Sequence, residues 1–250
     1  MNMEKYRNFL KDDLRLEMDF SQTDQSQGID APPVEKPFPV DSVRIFLTKP
    51  DKWEINIKKD VITAIKNRKS RRKFQDVLLG LDELSFLLWA ISGVRKKFRG
   101  IILRNVPSAG NRHAIETYLA VLNVSGLQPG IYRYLPLEHE LLLEIPVDDR
   151  EEFSEKIGIA ALGQNFIAKA AAVFIWAAIP YRMEWRYGKA SHKVIAIDAG
   201  HICQNLYIAC EAIDAGTCAI AAYNQDIMDK MIGVDGREEF TIYLAPVGKI

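Results

Sequence analysis

The chain is poor in the residues that build disulfide and metal sites. It has three cysteines and four histidines in 250 residues. An odd cysteine count with no CxxC pair argues against a disulfide framework or a structural zinc site. Cys203 and Cys210, seven apart in a helical stretch, share a face and read as buried small hydrophobes, as does Cys218. An excess of either charge is also missing: Lys plus Arg and Asp plus Glu number 33 each. Global charge therefore gives no reason to expect a nucleic-acid partner or an anionic membrane surface. No apolar run reaches the roughly 18 residues of a membrane span. The most apolar one, Ala168–Ile179, is short and interrupted by Lys169. Met1–Asp13 is charged and lacks the apolar core of a signal peptide. No internal repeat is evident. A cytoplasmic location with no bound metal is the resulting expectation.

A hydrophobic content of 48% against 26% charged residues supplies ample core. Residues 1–59 read as an arm or linker, with Ser21–Gly28 polar and Ala31–Pro39 proline-rich. Residues 60–250 read as one domain. A helix begins near Asp60 and ends in the basic run Lys66–Lys73. Gly80 suits an N-cap with Glu83 three residues on, and Leu84, Leu87, Leu88 and Ile91 form one apolar stripe before Gly93 at the C′ position. Ile115–Val124 and Ala171–Ile179, apolar on both faces, read as central strands. Ile131–Leu135 and Glu140–Glu144 form a hairpin, and a short strand spans Gly216–Ala222. Helices are expected over 149–163, 191–214 and 225–232, the last closed by Gly233, and a final strand over Phe240–Val247. This alternation indicates a single α+β or α/β domain with a mixed sheet.

Three segments can carry chemistry, each with a plain alternative. The run Arg68-Lys69-Ser70-Arg71-Arg72-Lys73-Phe74 suits a phosphate seat, since guanidinium forks, an ammonium and a hydroxyl neutralise a dianion; a solvated surface run is the other reading. Pro107-Ser108-Ala109-Gly110-Asn111-Arg112-His113 is either a tight turn into a strand or a loop that admits a flat, polar-edged ring against its backbone. Gly216-Thr217-Cys218-Ala219-Ile220-Ala221-Ala222, poor in bulk, either packs as a core strand or lets backbone N–H groups approach a ligand. His201 reads as a helix-packing or interface histidine, and Trp176, Trp185 and Tyr223 as core aromatics with the option of stacking on a ring.

In this order the three segments resemble the nitroreductase-like family of FMN-dependent homodimers, over roughly residues 60–250. Leu81–Ala90, Pro107–Gly110, Ile197–Tyr207 and Tyr243–Gly248 are similar to its SagB-type branch, dehydrogenases that oxidise azolines in ribosomally made peptides. The resemblance implies a three-layer α/β/α sandwich, its mixed, mostly antiparallel sheet flanked by helices, in an obligate homodimer. It implies that Arg68, Lys69, Ser70 and Arg72 hold the FMN phosphate and ribityl chain, with Lys249 as a further basic ligand. Pro107, Ser108, Ala109 and Asn111 would meet the pyrimidine side of the ring of the partner subunit's flavin. The backbone of Ala219 to Ala222 would lie beside the flavin, with the N–H near Ala221 as donor to N5. NAD(P)H is the implied electron donor, and the substrate a small molecule or a peptide. Arg112-His113-Ala114-Ile115 departs from the family's usual small residue-Gln-Pro-aromatic. Arg186-Tyr187 stands where the azoline-oxidising branch has a catalytic Lys-Tyr pair, and arginine stays protonated where lysine can act as a base. A flavin-binding scaffold without turnover, its long arm docking a partner, is the reading from a different class.

Overall fold

Two strands with no polar side to turn to water organise the chain. In the computed structural model, which describes residues 3–50, 52–57, 59–98 and 101–250, β4 (Ile115–Val121) and β7 (Ala172–Ala178) are buried at every position. The order along the chain is α1 (Glu4–Asn8), α2 (Leu14–Glu17), β1 (Arg44–Phe46), α3 (Val61–Asn67), α4 (Leu81–Ser92), β2 (Val94–Phe98), β3 (Ile101–Arg104) and β4. There follow β5 (Gly130–Leu135), β6 (Glu140–Pro146), α5 (Arg150–Ala160), β7, α6 (Tyr181–Tyr187), α7 (Ser191–Ala212), β8 (Ala215–Thr217), α8 (Gln225–Ile232) and β9 (Phe240–Lys249). Lys58 and Arg99 lie outside the described residues.

Seven strands form one sheet in the order β1-β6-β5-β4-β7-β9-β8. Every pairing within it is antiparallel. The parallel component of the expected mixed sheet is confined to two single bridges, Ser70 to Thr217 and Leu79 to Val124. Helices cover both faces, so the strands lose the apolar–polar alternation of a half-exposed antiparallel sheet. On one face α4 and α7 bring Leu84, Leu87, Leu88, Ile195, Ile202 and Leu206 against Ile115, Leu119, Phe174 and Trp176. On the other, Phe153 and Ile157 of α5 and Met228 and Ile232 of α8 pack on Ala120, Val173, Ile175 and Leu244. This is a three-layer α+β sandwich.

Local signals place the helix ends. Asp149 accepts hydrogen bonds from the N–H groups of Glu151 and Glu152, Asn224 accepts from Ile227, and Gly233 closes α8 with φ of 74°. The Gly80 N–H donates to Glu83 at 2.9 Å, the half of a capping box that needs no side chain at the N-cap. Gly93 follows α4 with φ of −59°, outside the left-handed region expected of a C′ glycine. Its role is steric: a Cβ there would collide with the ring and carbonyl of Trp89. The expected strand over Gly216–Ala222 shortens to β8, with Ile220 making one bridge to Leu244. β2 and β3 form a separate basic hairpin that no sequence pattern announced.

Segment 29–37 runs extended across the rim of the sheet. Its backbone carbonyls are taken by side chains of the domain: Ile29 by Trp185 Nε1 (2.8 Å), Pro32 by Arg112 (3.2 Å), Val34 by Arg104 (2.6 Å), Lys36 and Pro37 by Arg133 (2.7 and 3.3 Å). The Lys36 N–H donates to Glu116 of β4 (2.8 Å), and Glu116 also holds Arg182 of α6 (2.5 Å). Beyond this segment β1 adds the sheet's outermost strand beside β6. Burial works to raise the Glu116 carboxyl, but Arg182, Arg104 and Arg133 hold it below its ordinary value.

Two outcomes follow. Truncation by Glu116→Ala strands the Arg182 guanidinium in the interior and is expected to cost roughly 3–5 kcal/mol in denaturant unfolding; a loss under 1 kcal/mol would refute the assignment of this pair. Glu35, whose carboxylate accepts from the Leu137 N–H at 3.0 Å, has its carboxyl pushed up to about 7, chiefly by burial. As pH rises from about 4.5 to about 7 the unfolded chain ionises at Glu35 first, so this group lowers stability over that window. Thermal melts should show Glu35→Gln level with wild type at pH 4.5 and increasingly more stable up to pH 7, with the gap constant above; a gap that stays flat throughout would refute it.

Candidate functional site

The basic run after α3 is built around one tyrosine. Asp60 caps α3 by accepting from the Thr63 N–H (2.8 Å), and the helix stops at Arg68. Ser70 then bridges Thr217 at the edge of the sheet. The Ser70 and Tyr207 hydroxyls lie 3.0 Å apart, and the Arg68 guanidinium sits 5.2 Å from the centre of the Tyr207 ring. The same Tyr207 hydroxyl accepts from the Ala219 N–H at 2.8 Å. A single side chain of α7 thus joins the basic run to the alanine-rich segment. Tyr207 was missed as a site residue; its place in the Ile197–Tyr207 stretch was the available signal.

The side chains of the run divide between interior and cleft. Arg71 turns inward to a forked ion pair with the buried Glu211 (2.9 and 3.2 Å). Among the described residues no carboxylate pairs with Arg68, Lys69 or Arg72, and the Arg72 guanidinium lies 5.8 Å from the Phe166 ring centre. Lys69, Ser70, Arg71 and Arg72 line an open cleft of about 410 Å³. Lys249 is elsewhere engaged: its ammonium donates to Glu83 and to the Ile213 carbonyl, both at 2.6 Å.

The four residues of the alanine-rich segment divide in two. The Ala219 N–H is used by Tyr207, and the Ile220 N–H donates to Leu244 at 2.8 Å. The N–H groups of Ala221 and Ala222 have no partner among the described residues, while the Ala222 carbonyl accepts from Gln164. Ala221 lines an apolar cavity of about 500 Å³ between α7 and the ends of β7 and β9, together with Phe9, Pro180, Ile195, Ala199 and Tyr243.

The loop after β3 is tight, with left-handed backbone at three of its residues: φ is 56° at Gly110, 58° at Asn111 and 49° at His113. The Ala109 N–H donates to Asp198 of α7 (3.2 Å), whose carboxyl is raised by burial, and the His113 N–H donates to Ser108 Oγ (2.9 Å). Pro107 and Ser108 lie against Asp198, with His113 beside them. The loop is tied to α6, since Arg182 donates to the His113 carbonyl and Arg112 to the Arg182 carbonyl, both at 3.1 Å. Arg186 and Tyr187, at the end of α6, press on Gly110, where a Cβ would lie 2.5 Å from the Tyr187 hydroxyl and 2.7 Å from Arg186. The loop and this pair are thus brought together, whereas the loop and the basic run are not. Asp198 and Tyr207, their anchors on α7, are nine residues apart, which is about 14 Å along the helix and about half a turn around it.

The three cysteines are buried, and burial pushes the Cys203 thiol up to about 12 and Cys210 well above its ordinary value. Neither is a nucleophile near neutral pH.

The family model described as Nitroreductase matches residues 65–249, and "Putative nitroreductase MJ1384" of Methanocaldococcus jannaschii is 32% identical over 200 residues, 80% of this chain and 94% of that protein. The chain belongs to the nitroreductase family. A crystal structure of a "putative nitroreductase" from Ralstonia eutropha JMP134 superposes with a TM-score of 0.67 at 26% identity, covering 88% of this chain and 98% of the other. A chain of the Escherichia coli microcin synthetase McbBCD complex with truncated pro-MccB17 bound has a TM-score of 0.61 at 16% identity over 100% of this chain and 98% of that one, a likeness of fold. That likeness takes in the first 59 residues, which the family model leaves out. Among the described residues of this nitroreductase-family chain, no helix is long and apolar enough to cross a membrane.

The contact between Gly110 and the Arg186-Tyr187 pair gives a direct check on this geometry. Gly110→Ala meets both a positive φ and two close side chains, and is expected to cost roughly 1–3 kcal/mol in chemical denaturation. A neutral substitution would mean that the loop does not press on α6.

Proposed function

We propose that this protein is an FMN-dependent oxidoreductase that takes electrons from NAD(P)H and passes them to a second substrate in ping-pong order. The observation that carries the reading is the Tyr207 junction, which joins the basic cleft to a backbone segment whose next two N–H groups have no partner among the described residues. The donor set fits the cofactor. Arg68, Lys69 and Arg72 are cations without carboxylate partners among the described residues and Ser70 adds a hydroxyl, the chemistry a phosphate dianion needs. The apolar cavity beside Ala221 suits a flat ring, and the Ala221 N–H is the donor available to it. Bound FMN supplies hydride chemistry at its N5, and a donor N–H there favours the electron-rich reduced ring. Ala219 and Ile220, with their N–H groups spent inside the protein, contribute shape. Lys249 contributes through Glu83 and the end of α7.

The site is completed by a second copy of the chain. The roughly 14 Å and half-turn between the loop anchor and the basic cleft on α7 favour a loop, Pro107 to Asn111, that serves the flavin of the partner subunit. The exposed apolar residues Val61, Ile62 and Ile65 on α3 suit burial in such a homodimer. Three buried, unpaired cysteines suit a reducing cytoplasm. The contact of Arg186 and Tyr187 with Gly110 favours a second reading, a SagB-type dehydrogenase that oxidises azolines in a modified peptide. In that case Tyr187 or Arg186 faces the substrate, with the permanently charged Arg186 orienting it rather than taking its proton.

Purified protein should be yellow or quench the fluorescence of added FMN. Arg72→Ala should weaken FMN binding by about 1.5–3 kcal/mol, the value of a charge-assisted hydrogen bond. A colourless protein that leaves FMN fluorescence untouched overturns both enzyme readings, and unchanged affinity in the variant overturns the phosphate seat. Anaerobic bleaching by NADH or NADPH supports the reductase; a flavin that neither nucleotide reduces supports the dehydrogenase.

A further inference from the structure

His113 is a buried histidine, 5% exposed, for which the proposed redox cycle has no use. Its Nε2 lies 3.2 Å from the Ile102 carbonyl oxygen and 2.9 Å from Asn111 Oδ1. A carbonyl can only accept, so the hydrogen resides on Nε2. The Asn111 side chain must then turn its oxygen to the ring, and its N–H2 points the other way, where no partner meets it among the described residues. The ring stays neutral: burial first, then Arg104, Arg182 and Arg112, lower its pKa to about 3. One tautomer therefore persists across the physiological range.

The backbone is arranged to keep this contact. Asn111 and His113 both hold positive φ, a conformation that costs about 1–3 kcal/mol at non-glycine positions and persists only where the surroundings impose it. The imposing contacts are the His113 N–H on Ser108, the His113 carbonyl under Arg182, and the Ala109 N–H on Asp198.

We propose that His113 is a positioning residue which, by donating from Nε2 to Asn111 Oδ1, fixes the Asn111 amide with its N–H2 outward as a hydrogen-bond donor to an acceptor edge of the flavin ring. The proposal rests on the flavin reading above and adds a polarity to it: the loop offers the ring a donor and withholds an acceptor. A donor at a ring acceptor stabilises the reduced, electron-rich ring, so the contact acts on potential as well as on affinity.

The test compares His113→Gln with His113→Met in the full chain loaded with FMN. The two replacements have similar length and bulk, and only glutamine keeps an N–H near the position of Nε2. Fluorescence quenching gives the FMN Kd and spectroelectrochemistry gives the midpoint potential, with thermal melts recorded alongside. H113Q is expected within about twofold of wild type in Kd, and H113M weaker by about five- to tenfold, the worth of one hydrogen bond, with a lower potential. Equal Kd and potential in the two variants overturn the proposal. If H113M does not fold, Asn111→Asp decides: it keeps an oxygen toward His113 but replaces the outward N–H2 with a carboxylate oxygen. Weaker FMN binding and a lower potential support the proposal, and unchanged values overturn it. Wild-type protein that binds no FMN overturns the flavin reading as well; wild type that binds while the variants behave alike overturns only this one.

Discussion

The ion pair between Glu116 and Arg182 is the contact through which the candidate site hangs together. Glu116 lies on the central strand β4 and Arg182 on the short helix α6, and their side chains are 2% and 3% exposed. The same guanidinium grips the His113 carbonyl, and the same carboxylate grips the Lys36 N–H. Strand, loop, helix and arm thus meet at one buried charge pair. Such a pair adds little net stability over an apolar substitute, but it fixes which groups face each other. What it orders here is the approach of Arg186 and Tyr187 to Gly110.

The long helix α7 does the corresponding work for the other half of the chemistry. Near its start Asp198 holds the loop; further along, Tyr207 holds Ser70, Arg68 and Ala219, and Glu211 holds Arg71. Its inner stripe packs on the sheet and gives these polar side chains a rigid base. Positions on such an element are set more finely than positions on a loop, which a cofactor site needs.

The elements legible in the sequence were those whose burial is periodic or complete. α4 and α7 carry apolar stripes, and β4 and β7 are buried throughout, with Glu116 and Thr117 the polar members of β4. β1, only three residues long and largely exposed at the sheet edge, and the basic β2–β3 hairpin bury too little to leave a pattern. α6 hid for the opposite reason: its buried face includes Arg182, so the stripe is broken by a charge whose partner lies 66 residues away. The same limit applies to the site. The cation run, the Gly110 loop and the small residues of 219–222 are local features that can be read in order. That Tyr207 joins two of them and that Glu83 takes Lys249 are facts of distant contact.

The extended segment 29–37 has a further consequence, for the order of assembly. Its carbonyls are satisfied by Arg104, Arg112, Arg133 and Trp185, all of which follow it by 70 residues or more. A proline-rich stretch has few N–H groups with which to make structure of its own. As the chain emerges from the ribosome this segment has nothing to fold against until the hairpin, β4, β5 and α6 are in place. Its docking is a late event that depends on the finished rim of the sheet, and it locks the rim once made.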